Sequence, residues 1–193
     1  MYFYKNHATH RFDPENSDSC NIGIHACQND CHFGILHSIF CHMKFKCTFI
    51  QAYLFRHSRD GDIEYLLLRR AKDEILYPGM WQMITGRIEG EETAVDCARR
   101  EILEETGIEC PSLVVVPYVA SFYFAPDDSI HHVPVFAAEV TGEAAIRLSD
   151  EHDDHAWLPF DEAWKQLVFP GHREGLRILR DYLIEDARAR EMF

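Results

Sequence analysis

The chain predicts a mixed α/β (α+β) fold, and three observations carry that prediction. Between residues 44 and 70 the apolar residues alternate or run in short blocks around a turn, as strands do. Thr93 to Thr106 contains no glycine or proline and sets Ala94, Cys97, Ala98 and Ile102 at helical spacing, with Val95 less regular. Two further strand-like runs follow it, and two helical segments close the chain. Strands mixed with helices, joined in part by tight turns, give α/β or α+β architecture.

Each element has a local reason. Lys44 to Phe55 alternates into an apolar run and is expected as a strand. Arg59-Asp60-Gly61-Asp62 is a hairpin-type turn, and Ile63 to Arg69 is the returning strand. Ala71 to Gly79 is a loop ending in Pro78-Gly79, and Trp81 to Ile84 is a short strand-like run. In the helix that follows, acidic Glu91 and Glu92 complement the dipole at its start. Gly107 is suited to the position after its end. Pro111 breaks the chain, Leu113 to Phe124 is a long strand, Asp127-Asp128 a turn, and Val133 to Val140 the partner strand. A short strand, His155 to Leu158, precedes helices over Asp161 to Val168 and His172 to Ala187.

Composition narrows the function classes. The length of 193 residues suits one domain, or one domain with an appendage, and 47% apolar content can fill a core. No run of 18 apolar residues occurs, so no membrane helix is expected. The first 20 residues show no basic start followed by an apolar core, so no signal peptide is visible. A net charge of −13 argues against binding nucleic-acid backbones. It leaves small polyphosphates open, because a bound cation brings local positive charge. Seven cysteines, an odd number, point to a reduced, cytoplasmic protein rather than a disulfide scaffold. A monomer or homodimer is expected.

Residues 1–42 differ from the rest. They hold four of the seven cysteines and six of the twelve histidines and show no period. They are expected to be an N-terminal extension, disordered or loosely docked, ahead of a domain spanning 43–193. Two other readings stay open. Cys20, His25, Cys27, Cys31, His32, Cys41 and His42 could form a zinc site, although the spacing is not that of a standard knuckle. The segment could also be a translated leader upstream of a start at Met43.

The chemistry concentrates on one helix. Glu101, Glu104 and Glu105 fall at i, i+3 and i+4, which share a helix face. Three like charges on one face repel unless a cation neutralises them. Ligands that are all oxygen select a hard ion, Mg²⁺ or Mn²⁺. A solvated acidic face is the competing reading, and Arg100 beside the cluster with glycines on both flanks weighs against it.

From Gly86 to Ile108 the spacing is glycine, five residues, Glu92, seven residues, then Arg-Glu-apolar-x-Glu-Glu-x-Gly-apolar. This segment resembles the Nudix box at every fixed position. The resemblance implies a helix-sheet-helix sandwich with a mixed central sheet, and hydrolysis of a nucleoside diphosphate linked to another group. It implies Glu101 and Glu105 as principal Mg²⁺ ligands, Glu104 as a direct or water-mediated one, and the Gly86 carbonyl as another. It also implies Glu92 and Arg100 as an ion pair that orients Glu101. The catalytic base lies in the box or in a later loop, here Ser149 to Asp154, where Glu151 is the candidate base or extra ligand. An acidic surface turn is the plain alternative there.

Substrate choice lies outside the box. Trp81-Gln82-x-x-Thr85-Gly86 stands where many relatives carry Pro-Gly-Gly, and Glu151-His152 precedes Trp157. Both stretches resemble the dihydroneopterin triphosphate or dATP pyrophosphohydrolase branch. The expected substrate is therefore a small-molecule nucleoside or pterin triphosphate, cut to the monophosphate and pyrophosphate, with no nucleic-acid or membrane partner. Trp81 and Gln82 are candidate substrate contacts, and Arg69, Arg70 and Arg87 candidate phosphate partners. Tyr77, Phe122, Tyr123 and Phe124 are further stacking candidates, with Phe122 and Phe124 on the strand face opposite Tyr123. Two alternatives remain: a diphosphatase for ADP-ribose, sugar nucleotides or dinucleotides, and a non-catalytic ligand-sensing domain.

Overall fold

The computed structural model describes residues 44–110, 112–141 and 144–184. The readings made for residues 1–42, for Pro111 and for the end of the last helix lie outside the described residues. Among the described residues eight strands form one mixed sheet. In chain order they are β1 (Lys44–Lys46), β2 (Phe49–His57), β3 (Ile63–Arg70), β4 (Trp81–Gln82), β5 (Ile84–Arg87), β6 (Val114–Phe124), β7 (Ser129–Glu139) and β8 (His152–Pro159). The helices are α1 (Ala94–Thr106), α2 (Phe160–Gln166) and α3 (Pro170–Ile178), the last continued by a π-helical turn over Leu179–Ile184.

The sheet is built around a split. β7 lies parallel to β2 and antiparallel to β6, while β3 lies antiparallel to β8. β2 and β3 pair directly only between Phe55–His57 and Ile63–Tyr65. Beyond that they part, and the segment Trp81–Arg87 enters the gap. Trp81 and Gln82 pair with β3, and Ile84–Arg87 pair with β2. The short run expected at Trp81 to Ile84 is thus two strands that change partner at Met83 and extend to Arg87. This wedge carries Gly86 into the middle of the sheet.

Period-2 alternation separates the two faces. Ile50, Ala52, Leu54, Leu66, Leu68, Phe136 and Ala138 pack with Cys97, Ala98 and Ile102 of α1. Tyr53, Tyr65, Leu67, Val135 and Ala137 pack instead with Ala163, Leu167, Leu176 and Leu179 from α2, α3 and the following turn. The result is the expected helix-sheet-helix sandwich. Among the described residues no helix is long and apolar enough to cross a membrane.

Several boundaries differ from the sequence reading, among them α2, which covers Phe160–Gln166, and α3, which starts at Pro170; three others have a reason in pairing or turns. The strand expected over Lys44 to Phe55 breaks at Cys47-Thr48, because β1 and β2 pair with separate stretches of β7. β7 starts at Ser129, since a 3₁₀ turn over Ala125–Asp127 and a left-handed Asp128 (φ 50°) return the chain at once. β8 starts at His152 rather than His155, because its pairing with β3 runs on to Arg70 past a bulge.

α3 meets the sheet at a glycine. The Tyr53 hydroxyl donates to the His172 carbonyl at 2.6 Å. A Cβ on Gly175 would stand 2.6 Å from that same hydroxyl. Helix propensity favours Gly175→Ala by roughly 1 kcal/mol. Overpacking against a buried, tethered ring costs about 1–3 kcal/mol, so packing should win. Urea unfolding should show Gly175→Ala less stable than wild type, with part of the loss recovered in Tyr53→Phe/Gly175→Ala. A stabilised Gly175→Ala would contradict this packing.

Candidate active site

The site is assembled where α1 crosses β5. The Thr93 side chain caps the helix by accepting from the Asp96 N–H at 3.2 Å, and its hydroxyl donates to the Asp96 carboxylate at 2.7 Å. Gly107, at φ 71°, ends it by donating to the Leu103 carbonyl at 2.8 Å. Burial of Cys97, Ala98 and Ile102 fixes the rotation of the helix. That rotation grades the three glutamates. Glu105 is buried at 5% exposure, the Glu101 side chain is 14% exposed, and that of Glu104 is 56% exposed. Cys97 packs as an apolar residue, and burial pushes its thiol up to about 12.

Arg100 ties the cluster together. Its guanidinium donates to both carboxylate oxygens of Glu92 (2.7 and 3.2 Å), to Glu101 Oε1 (2.8 Å), to Glu104 Oε2 (3.0 Å) and to the Arg87 carbonyl (2.9 Å). The Glu89 N–H donates to Glu92 Oε1 at 2.8 Å. Arg100, and after it the Glu89 N–H, hold the Glu92 carboxyl down at about 2. These bonds tie the loop before α1 to the helix and fix Glu101 from one side. From the other side Glu101 lies against Gly86. A Cβ on that glycine would stand 2.0 Å from Glu101 Cγ and 2.2 Å from its carboxyl carbon. Only a residue without a side chain leaves Glu101 this place.

Glu105 is held differently. Its Oε2 is buried and has no hydrogen-bond partner. Burial first, then the charges of Glu101 and Glu151, raises its carboxyl well above the ordinary range, and Arg70 opposes them. Burial likewise raises Glu101, with Arg100 pulling the other way. Among the described residues, no three Asp, Glu, His or Cys side chains stand together as a formed chelating set. Oxygens of Glu101 and Glu104 are turned to Arg100 instead. The donor chemistry still fits a hard cation: an orphaned buried carboxylate oxygen, a second carboxylate over a glycine, and a third half-exposed.

The remaining candidates divide between the two faces. Arg70 follows Leu66 and Leu68 onto the α1 side. It bonds the Leu76 carbonyl at 2.8 Å and pairs with Glu74, and Glu151 Oε2 lies 3.8 Å from its Nη1. Glu151 is 61% exposed, at the mouth of the site. His152 follows it and pairs in register with Arg70. It shares a 3.4 Å contact with the buried amide of Gln82. Burial, then Arg70, lowers the imidazole to about 4. Arg70, Glu151 and Gln82 therefore join the carboxylate side. Arg69 alternates to the α2/α3 side, bonded to Asp153 Oδ1 at 2.6 Å with its guanidinium 5.6 Å from the Trp81 ring. The Arg87 side chain is exposed, and its backbone carbonyl and N–H serve Arg100 and Glu101. Phe122 and Phe124 pack on His131, whereas Tyr123 is 52% exposed. The sequence marks His152 only as part of the Glu151-His152 pattern; its burial depends on the bulged β3–β8 register, which no local signal announces.

The fit of Glu101 over Gly86 is open to a direct check. Gly86→Ala should lose about 1–3 kcal/mol of stability by overpacking. Glu101→Ala removes the three atoms nearest to a new Cβ, so Gly86→Ala/Glu101→Ala should be more stable than additivity allows. Additive losses in urea unfolding would mean the two residues are not in contact.

Residues 51–180 match the NUDIX domain family, well over half of the chain. The chain is 35% identical over 121 residues to an octanoyltransferase of Myxococcus xanthus, covering 62% of this chain and 33% of that protein. It thus spans about a third of that relative's length. It is 27% identical over 109 residues to the nucleoside triphosphatase NudI of Klebsiella pneumoniae, covering 51% of this chain and 74% of NudI. The structure resembles that of the Escherichia coli dihydroneopterin triphosphate pyrophosphohydrolase. The TM-score is 0.58 at 22% identity, over 70% of this chain and 95% of that one. A family match of this extent, which takes in the helix and glycine just described, makes the chain a member of the Nudix family.

Proposed function

We propose that the chain is a divalent-cation-dependent hydrolase that cuts a nucleoside or pterin triphosphate between its α and β phosphates, releasing pyrophosphate. The observation that carries the cation is the Glu105 carboxylate, buried with its Oε2 unpartnered, in a cluster with Glu101, which lies over Gly86. Such a group is a stability cost with no return inside the protein alone. The triphosphate rests on the Trp81-Gln82-x-x-Thr85-Gly86 stretch, on Glu151-His152 before Trp157, and on the likeness to a nucleoside triphosphatase. The structural likeness to the pyrophosphohydrolase, at 22% identity, supports the fold alone.

In this reading Glu101, Glu105 and the Gly86 carbonyl hold the cation, Mg²⁺ by its oxygen ligands, with Glu104 bonding it directly or through water. When bound, the cation polarises phosphate oxygens and makes water a stronger acid. Arg100 keeps Glu101 aimed, with Glu92 compensating its charge. Arg70 binds a phosphate oxygen on the carboxylate side. Glu151 takes the proton of the attacking water on its exposed carboxylate. Arg69 and Arg87 assist with the phosphate chain, Trp81 stacks on the base from the α3 side, and Gln82 with His152 supports the Glu151 loop.

The reaction is tested with a panel of dNTPs, dihydroneopterin triphosphate, ADP-ribose and dinucleotides in Mg²⁺, with products identified after turnover in ¹⁸O-water. Pyrophosphate, with label in one product of an α–β cut, is expected. Turnover of ADP-ribose or a dinucleotide alone would replace this substrate class.

The cost of Glu105 gives a second expectation. Glu105→Gln should nearly abolish turnover. With EDTA present it should also be more stable than wild type at neutral pH, by about 1–3 kcal/mol. The sign follows from the raised native-state pKa. Between the ordinary carboxylate value of about 4.3 and the raised one, the native state binds the extra proton, so wild-type stability falls as pH rises. The advantage of the glutamine should be full above the raised value and vanish as pH falls to the ordinary one. Thermal unfolding across pH checks this, and a variant less stable at every pH would contradict it.

A further inference from the structure

The loop of residues 71–79, between β3 and β4, is longer than the sheet requires. Its neck is closed by the Arg70 N–H on the Met80 carbonyl and by the Gly79 N–H on the Arg70 carbonyl, each at 2.9 Å. Antiparallel strands closed in this way are commonly joined by about 2–5 residues. The longer excursion leaves Ile75 94% exposed and Leu76 and Tyr77 half-exposed. It also holds Tyr77 at a left-handed φ of 55°, a costly conformation for a bulky residue. Neither feature adds to the core.

What the loop achieves is a grip on Arg70. The Arg70 Nε–H donates to the Leu76 carbonyl at 2.8 Å, and Nη2 donates to the Glu74 carboxylate. Nε and Nη2 form one edge of the planar guanidinium, so the loop fixes that edge. Nη1 lies on the other side. Glu151 Oε2 stands 3.8 Å from it, beyond hydrogen-bond reach. Arg70 is also the cation that opposes the charges crowding Glu105. The Ala71 N–H donates to the Glu151 carbonyl at 2.8 Å, which ties the neck of the loop to the segment carrying Glu151. The Arg70 side chain is 14% exposed and that of Glu74 28%, so solvent screens this pair less than a surface one.

We propose that Glu74 is a positioning residue: with the Leu76 carbonyl it locks one edge of the Arg70 guanidinium to the loop and so keeps Nη1 turned to the Glu105–Glu151 side, where its N–H groups donate to a non-bridging phosphate oxygen of the substrate. This rests on the triphosphate reading above and adds the residue that aims Arg70. The electrostatics explain why aiming is needed. Without Glu74, Arg70 is drawn into closer ion pairs with Glu105 and Glu151, the carboxylates that the cation and the proton require. With Glu74, part of its charge is satisfied on the loop side, and Nη1 stays open to a phosphate. The shape of the guanidinium is part of the device. A lysine ammonium has no second edge to lock, so Glu74 can aim an arginine at this position but not a lysine.

The test uses the full chain with Glu74→Gln, Arg70→Lys and the double variant. Steady-state kinetics are measured in Mg²⁺ on whichever of dATP, dGTP, dCTP, dTTP and dihydroneopterin triphosphate wild type turns over best, beside ¹⁵N NMR of the Arg70 Nε–H. Glu74→Gln should raise KM about fivefold or more with kcat changed by no more than about twofold, because Nη1 holds the phosphate before and during reaction alike. In the Arg70→Lys background the same change should alter KM by less than about twofold. The Arg70 Nε–H signal, slowed in exchange by the Leu76 carbonyl, should be seen at neutral pH in wild type and broaden away in Glu74→Gln. An unchanged KM would overturn the proposal. So would a lowered KM, which would make Glu74 a competitor for the phosphate. Equal effects of Glu74→Gln in both backgrounds would also overturn it, since a residue that only holds the fold of the loop acts whichever cation stands at position 70. A persistent Nε–H signal in Glu74→Gln would do the same. If wild type turns over none of these compounds, calorimetric titration with inorganic tripolyphosphate in Mg²⁺ takes the place of kinetics. Binding weakened by Glu74→Gln would keep the aimed arginine while the hydrolysis reading fell, and equal binding, or none by wild type, would end the proposal.

Discussion

Everything in the carboxylate site depends on the contact between the Glu101 side chain and a glycine that has none. Gly86 sits in β5, the strand that fills the gap where β2 and β3 part. α1 is pressed onto that strand by Cys97, Ala98 and Ile102, and the missing Cβ lets Glu101 lie against the backbone. The split in the sheet, the rotation of α1 and the position of the acid are therefore one constraint. Arg100 adds a second hold, since its five oxygen contacts reach Glu92, Glu101, Glu104 and the Arg87 carbonyl.

The same packing that positions the acids works against their charge. Glu105 falls on the inner side of α1 because the apolar stripe sets the helix rotation, and burial there disfavours ionisation. Arg100 offsets the charge on Glu101 and Glu104 but does not reach Glu105 Oε2. A hydrophobic residue at 105 would suit the core better, and its absence is the kind of local inconsistency expected at functional positions.

Much of this was legible in the sequence because its signals are local. The helix from Thr93 to Thr106 announces itself by periodicity and by the absence of glycine and proline, and its glutamates follow from i, i+3, i+4 spacing. Strand existence was legible for the same reason. What escaped depends on pairing between distant segments. The change of partner at Met83, the bulge that carries β8 back to His152 and the break at Cys47-Thr48 are set by register. Adjacent arginines at 69 and 70 look equivalent in the sequence, but strand alternation sends one to Trp81 and the other toward Glu105.

The claim that Glu101 and Glu105 are cation ligands is tested most directly by titrating Mn²⁺ into the protein and reading free ion by electron paramagnetic resonance. Wild type should bind Mn²⁺ with Mg²⁺ competing, and Glu105→Gln and Glu101→Gln should each weaken binding about tenfold or more. Equal Mn²⁺ affinity in wild type and both variants would contradict the assignment.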